Sequence, residues 1–282
     1  MKIGIRGHDL GKGSINTIID VLKEYNFEAI QLVCYKLLDN ITYEENSINL
    51  KKALEIGNKL KENNIDVPLI GSYFNPVHSN KEKVQKSINI FKNYIDYASI
   101  LGSKNVGSET GSKNDDKWTY HPYNQIPETV NETIRIFKEL AIYAKNKNIN
   151  IALEGAYGHV ANTPDMLNYI VKEINEPNIK IIVDIYNYLN IDNYTYQIEI
   201  LKRSIELFKD EIIVFHLKDF YIDNNKMYRC QLGQGLMNYP EILRIIKEEV
   251  PNAYLIFEGV QGNEILPSLK YIKGELEKWN LM

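Results

Sequence analysis

The chain has 282 residues, with 33 Lys or Arg against 37 Asp or Glu and a formal net charge of −4. Nucleic-acid binding runs on clustered Lys and Arg, so this balance speaks against a nucleic-acid partner. Two cysteines, Cys34 and Cys230, with no CxxC pair, exclude a disulfide framework. Hydrophobic residues at 44% and charged residues at 25% are ordinary for a soluble globular protein with a large core. No run of about 18 apolar residues appears, so no membrane span is expected. The stretch Met1-Lys2-Ile3-Gly4-Ile5-Arg6 is too short and too soon charged for a signal peptide, and a cytoplasmic location is the expectation.

Eight strand-then-helix units follow one another. Strands are predicted over residues 2–6, 28–33, 66–71, 104–107, 150–154, 179–184, 212–216 and 253–258. Most are continuous apolar runs, as strands buried on both faces require. Helical patterns fill the gaps. Leu50, Ala53, Leu54, Ile56 and Leu60 repeat at helical spacing within 48–61, and Ile88, Phe91, Ile95, Ala98 and Leu101 do so within 84–101. Ile134, Phe137, Leu140, Ala141 and Ala144 continue the pattern. Thr163-Pro164 fits an N-cap followed by proline at the first helical position. Asn238-Tyr239-Pro240 opens another helix, and a last one runs over 263–279. There is no linker or low-complexity block, so residues 1–282 are expected to form one domain, a single (β/α)8 TIM barrel. Single barrels of this kind commonly run to about 250 residues.

The fifth to eighth predicted strands each end in a residue able to bind a metal: Glu154, Asp184, His216 and Glu258. Their spacing is roughly 30 to 40 residues, about one βα unit each. In a parallel barrel the strand ends converge on one face, where active sites sit. Taken singly, each residue could be a solvated strand end or a structural histidine; the joint pattern predicts a shared cation site. Three carboxylates and one imidazole suit one divalent cation, Mn²⁺, Mg²⁺ or Co²⁺, better than a structural zinc, although Zn²⁺ stays an option.

These four residues, in this order, make the chain resemble the xylose-isomerase-like TIM-barrel superfamily. That group holds sugar isomerases and epimerases, inosose dehydratases and the endonuclease IV group. His216-Leu217-Lys218-Asp219 is similar to the family's H-x-K-D segment, and Gly233-Gln234-Gly235 to its G-x-G turn. The resemblance covers essentially the whole chain. It implies that Glu154, Asp184, His216 and Glu258 bind the metal. It also implies that Glu154 and Glu258 flank a carbohydrate, one removing a proton next to a carbonyl and the other returning one. The expected function is therefore a metal-dependent sugar or sugar-phosphate isomerase or epimerase working through an enediolate. An inosose-type dehydratase, or a silent sugar- or metal-binding barrel, is the alternative.

Two departures narrow the reading. Ketose epimerases usually carry His three residues after the metal Asp, where this chain has Asn187. Asn keeps hydrogen bonding but cannot shuttle a proton at neutral pH. The trinuclear site of endonuclease IV needs further His ligands that this chain lacks, which disfavours DNA repair.

Further substrate-binding candidates lie after the strands. His8 follows the first. Asn75 and His78 follow the third, beside Tyr73 and Phe74 as a sugar-facing wall. Glu109 resembles a family substrate-binding acid, and His159 lies beyond Glu154. Lys218, two residues after His216, could steady an enediolate or bind an anion. Arg229 could clamp an anionic group. Residues 118–123, Trp-Thr-Tyr-His-Pro-Tyr, could form a lid or the contact of a homo-oligomer. Gly233 and Gly235 have no nucleotide-loop context.

Overall fold

Runs such as Ile151-Ala152-Leu153 and Ile181-Ile182-Val183 offer water no polar side chain, and all six residues are buried. Strands of this kind need cover on both faces, which crossover helices supply. The computed structural model describes residues 1–278; Trp279, the predicted end of the last helix, lies outside them.

In chain order the elements are β1 (Ile3–Arg6), α1 (Ile15–Tyr25), β2 (Ala29–Leu32), α2 (Cys34–Leu37), α3 (Leu50–Glu62), β3 (Asp66–Gly71) and α4 (Lys81–Tyr97). Then come β4 (Asn105–Glu109), α5 (Pro127–Lys145), β5 (Asn150–Glu154), α6 (Pro164–Ile174), β6 (Ile179–Asp184), α7 (Ile185–Tyr188), α8 (Gln197–Phe208) and β7 (Ile212–Leu217). The chain ends with β8 (Asp219–Asp223), β9 (Lys226–Cys230), α9 (Tyr239–Glu249), β10 (Tyr254–Phe257) and α10 (Ile265–Lys278). Strands β1 to β7 pair in sequence order, and β10 closes the ring between β7 and β1. Every barrel pairing is parallel. The fold is a single (β/α)8 barrel. Among the described residues no helix is long and apolar enough to cross a membrane.

Strand alternation explains why the candidate ligands meet. Ala29, Leu69, Ala152, Ile182, Val214 and Ile256 form a separate apolar cluster inside the barrel. Glu154, Asp184, His216 and Glu258 each follow one of these inward residues by two positions, so they point the same way one level higher. Register agrees: Asp184 lies opposite His216, and Glu109 opposite Glu154. The larger core packs the outer strand faces against the helices.

Local signals behave as their chemistry requires. The Thr163 hydroxyl accepts from the Met166 amide at 3.1 Å, with Pro164 opening α6. Two predictions need correction. The fourth strand, expected over 104–107, is β4 at Asn105–Glu109, so Glu109 belongs to the strand tip. An antiparallel hairpin, β8–β9, directly follows β7 and was not anticipated. Its loop, Asn224-Asn225, has φ of 46° and 60°. Asn tolerates that left-handed region, and a two-residue loop of this kind closes a tight hairpin.

Candidate metal and catalytic site

One ligand atom from each of Glu154, Asp184, His216 and Glu258 lies within 4.8 Å of the others at the barrel mouth. His216 Nδ1 is the hub: Glu258 Oε2 is at 2.9 Å, Glu154 Oε1 at 3.2 Å and Asp184 Oδ2 at 3.7 Å. Asp184 Oδ2 is buried and accepts no well-formed hydrogen bond, although Lys218 Nζ stands 2.8 Å away. Buried polar atoms are normally paired. Three carboxylates and an imidazole whose ligand atoms converge are a donor set that fits an oxygen-preferring divalent cation.

The imidazole is oriented from behind. Gln31 Oε1 lies 2.6 Å from His216 Nε2, while Gln31 Nε2 donates to the Tyr73 hydroxyl at 2.7 Å. A carbonyl oxygen can only accept, so this pairing assigns a proton to Nε2. The surrounding carboxylates favour a second proton on Nδ1, which a cation would have to replace to reach the Nδ1 lone pair.

Two cations sit among the acids. Lys218 Nζ is 2.7 Å from Glu258 Oε1, and Arg6 Nη1 donates to the same oxygen at 2.6 Å. Arg6 also forks onto Asp9 at 2.9 and 2.8 Å. Asp9 in turn accepts from the Gly259 amide at 2.7 Å and the Gln261 side chain at 3.0 Å. These contacts set the two glutamates apart. Burial pushes Glu154 up to about 7, His216 opposes this, and Glu109 and Glu258 reinforce it. Burial works on Glu258 too, but Lys218, His216 and Arg6 overcome it and hold Glu258 well below the usual carboxylate range. Burial also works against the charged form of His216, yet Glu258 and Glu154 raise it to about 10.

Asn187, the departure from the epimerase pattern, is a bridge. Its amide donates to Glu154 Oε1 at 2.7 Å and accepts from Lys218 at 2.9 Å. Its backbone NH caps onto Asp184 Oδ1 at 3.0 Å. Asp219, next to Lys218, accepts from the Phe220, Gly233, Gly235 and Met237 amides and so ties the 231–237 loop to β8.

The other predicted residues divide into two sets. His8, Glu109, Glu154 and Glu258 border one compartment of about 220 Å³. His8 Nδ1 is buried without a partner, and burial with the Arg6 charge lowers the ring to about 4, so it is neutral at physiological pH. His159 Nε2 pairs with the Trp118 carbonyl at 3.1 Å, leaving its buried Nδ1 free 3.9 Å from Glu109. Arg229 stands at the rim, its guanidinium filling the space that a Cβ on Gly259 would need. Asn75, by contrast, is committed to its own loop. Its amide donates to the Ser112 and Asp115 carbonyls and accepts from the Val77 and Ser112 amides, with no capacity left for a hydroxyl. His78 likewise spends both ring nitrogens on Asp116 and Asn80. Phe74 turns into the core against Phe91 and Phe137, and only Tyr73 of the expected wall lines the carboxylate compartment. In the 118–123 segment Trp118 meets His159 edge-on and Tyr120 stacks on Tyr157, so it lies across the mouth.

Sequence reading missed Arg6, Asp9 and Gln31. Two of them carried a signal: Arg6 is the charged tip of β1, and Gln31 is the lone polar residue in the Ala29–Leu32 strand.

Known proteins place this arrangement in context. A D-tagatose 3-epimerase-like protein is 21% identical, covers 100% of this chain and 99% of its own, and superposes with a TM-score of 0.78. A xylose isomerase-like TIM-barrel protein from Mycobacterium smegmatis in complex with magnesium is 15% identical over 97% of this chain and 92% of its own, at a TM-score of 0.72. The IOLI protein with a bound zinc atom is 15% identical over 100% of both chains, at 0.71. At such identities the likeness is one of fold. No curated protein matches the sequence. A family model described as xylose isomerase-like TIM barrel matches residues 19–279. Because that match spans nearly the whole chain, the protein belongs to the xylose isomerase-like TIM-barrel family.

Proposed function

We propose that this protein is a metal-dependent isomerase or epimerase of sugars or sugar phosphates, moving a proton through an enediolate. The observation that carries this reading is geometric: Glu154 and Glu258 line one small compartment and stand in one cluster with Asp184 and His216. Glu154 is drawn up to about 7, whereas Glu258 is held ionised. Environments that push paired carboxyls apart mark acid and base roles. One of the two abstracts the substrate proton and the other returns one, as abstraction and return require. In the reverse direction the roles exchange.

Glu154, Asp184, His216 and Glu258 would hold the cation, Mn²⁺, Mg²⁺ or Co²⁺ by donor chemistry. Bound there, a divalent cation supplies Lewis acidity toward substrate oxygens. Lys218 is already engaged by Asp184, Glu258 and Asn187, so its positive charge would act on the site through those partners. His8 Nδ1, His159 Nδ1 and the Glu109 carboxylate are free to receive hydroxyls. The magnesium and zinc of the two related structures, and the epimerase likeness of the third, agree with this assignment.

Asn187 favours one second reading, an inosose-type dehydratase, since it cannot take part in proton shuttling as a histidine would. Glu154 would then protonate departing hydroxide. The test is to incubate the protein with ketoses, ketose phosphates and inososes in deuterated buffer containing Mn²⁺, Mg²⁺ or Co²⁺. Deuterium entering the carbon next to the carbonyl, with a stereoisomer or aldose–ketose partner as product, supports the proposal. A dehydrated product supports the second reading. Neither exchange nor product with any substrate would leave a binding protein and overturn both.

A further inference from the structure

The carboxylate compartment does not end at the sugar-sized space over the tetrad. Tyr35, Tyr73 and Trp118 also line a second compartment of about 420 Å³, which continues to Tyr43, Phe74 and Ser87. Small-molecule sites typically span roughly 300–1,000 Å³. The carboxylate compartment, at about 220 Å³, falls short of that range alone, and the two together fall inside it.

The chemistry of the second compartment selects its occupant. Tyr35, Tyr43, Tyr73, Phe74 and Trp118 line it, with the Tyr35 and Tyr43 rings 4.8 Å apart. The charges on its edge are already answered. Lys83 pairs with Asp116 at 3.2 Å, Lys86 with Glu44 at 2.6 Å, and His78 with Asp116 at 3.2 Å. Asn75 and His78 have no free hydrogen-bonding capacity, as described above. The Tyr43 hydroxyl already donates to Ser87 at 2.9 Å. An anionic group would find no unpaired cation there, whereas a flat, uncharged ring would find aromatic faces.

We infer that the substrate carries two rings: a reacting sugar over Glu154 and Glu258, and a second uncharged ring, sugar or aryl, in the Tyr35–Tyr43–Trp118 compartment. This rests on the isomerase reading for which ring reacts. The prediction about binding stands separately.

Calorimetric titrations with Mg²⁺ present would compare D-fructose, a single ketose ring, with lactulose, the same ketose linked to galactose. Phenyl β-D-glucopyranoside tests the aryl source of the second ring. Lactulose or the phenyl glycoside should bind at least about tenfold tighter than fructose. Tyr43→Leu, which keeps bulk and removes the aromatic face, should erase that advantage and leave fructose binding unchanged. Tyr43→Phe, which keeps the face, should retain it. Tighter lactulose than phenyl glycoside identifies a glycosyl ring, and the reverse an aryl one. Equal binding of all three probes, or an advantage that survives Tyr43→Leu, would overturn the two-ring proposal. Tight, Tyr43-dependent binding without deuterium exchange in any sugar would keep the second-ring site and reject the isomerase reading.

Discussion

At the N-terminal ends of the strands lies a cavity of about 670 Å³, bordered by Lys2, Gly57, Asp66, Leu101 and Tyr254. At the opposite end the compartment over the carboxylates measures about 220 Å³. At the centre of the larger one Lys2 pairs with Asp66, and the Tyr254 hydroxyl donates to Asp66 at 2.7 Å. The smaller one leaves His8 Nδ1 without a hydrogen bond, as is the neighbouring His159 Nδ1. It also holds two glutamates at opposite ends of their acidity range. Void volume is therefore a poor guide to chemistry in this barrel. Unspent buried polar groups and divergent acidities at the C-terminal strand ends are the better one.

The sharpest way to break this contrast is at the glutamates. Glu154→Gln and Glu258→Gln each keep an oxygen ligand but can no longer take or give a proton. Each should lower kcat by about 10² or more, the scale of general acid–base catalysis. Substrate turnover at the wild-type rate in both variants would remove the two-carboxylate mechanism whatever the fold.

Next in size is cation affinity. His216→Ala removes the proposed nitrogen ligand and should abolish tight binding of Mn²⁺ in calorimetry. Gln31→Leu removes only the acceptor behind the ring and should weaken binding by about 10- to 100-fold, as loss of ligand-orienting partners does. Gln31→Glu, which still accepts from Nε2, should restore much of it. Nitrogen NMR of His216 in the cation-loaded protein should report the Nε2–H tautomer in the wild type and a mixture in Gln31→Leu. An unchanged tautomer and affinity in that variant would reduce Gln31 to packing.

A third effect is expected with pH. His216 is held at about 10 against an ordinary 6.5. A raised pKa contributes stability that is complete below the ordinary value and is lost as pH climbs toward the raised one. Glu154, at about 7 against 4.5, acts in the same direction over its own interval. Chelator-treated protein should therefore melt at lower temperature at pH about 8 than at about 6. Cation binding must displace these protons, so the rise in Tm on adding Mg²⁺ should grow over the same interval. The shift should amount to a few degrees, since 1 kcal/mol moves the Tm of a chain this large by roughly 2–4 °C. A Mg²⁺ increment that shrinks as pH rises would show that the tetrad does not carry the cation.

How far the sequence reveals this site depends on what places each residue. Glu154, Asp184, His216 and Glu258 were legible because each ends an apolar strand, so local pattern and barrel geometry suffice. The partners that tune them were not. Glu258 meets Arg6 across 252 positions, and His216 meets Gln31 across 185. Only closure of β10 onto β1 brings the first pair together. Asn75 shows the reverse error: its place after β3 suggested a sugar contact, but its amide folds back into the loop. The β8–β9 hairpin was hidden by reading Lys218-Asp219 as a motif, although Asn224-Asn225 flanked by Ile222 and Met227 carried a turn signal.

The smallest effect tests the other end of the barrel. If the N-terminal cavity is a packing feature, its polar centre can be altered at little cost. Asp66→Asn keeps an acceptor for the Tyr254 hydroxyl and removes only the charge facing Lys2. That pair is half exposed, at 50% and 34% of side-chain surface, and exposed ion pairs contribute about 0–1 kcal/mol. The variant should melt within a few degrees of wild type, bind Mn²⁺ with unchanged affinity, and turn over substrate within about twofold of wild type, as surface changes usually do. A large loss of turnover with stability and metal affinity intact would mean that the N-terminal cavity communicates with the mouth, and the contrast between the two ends would have to be redrawn.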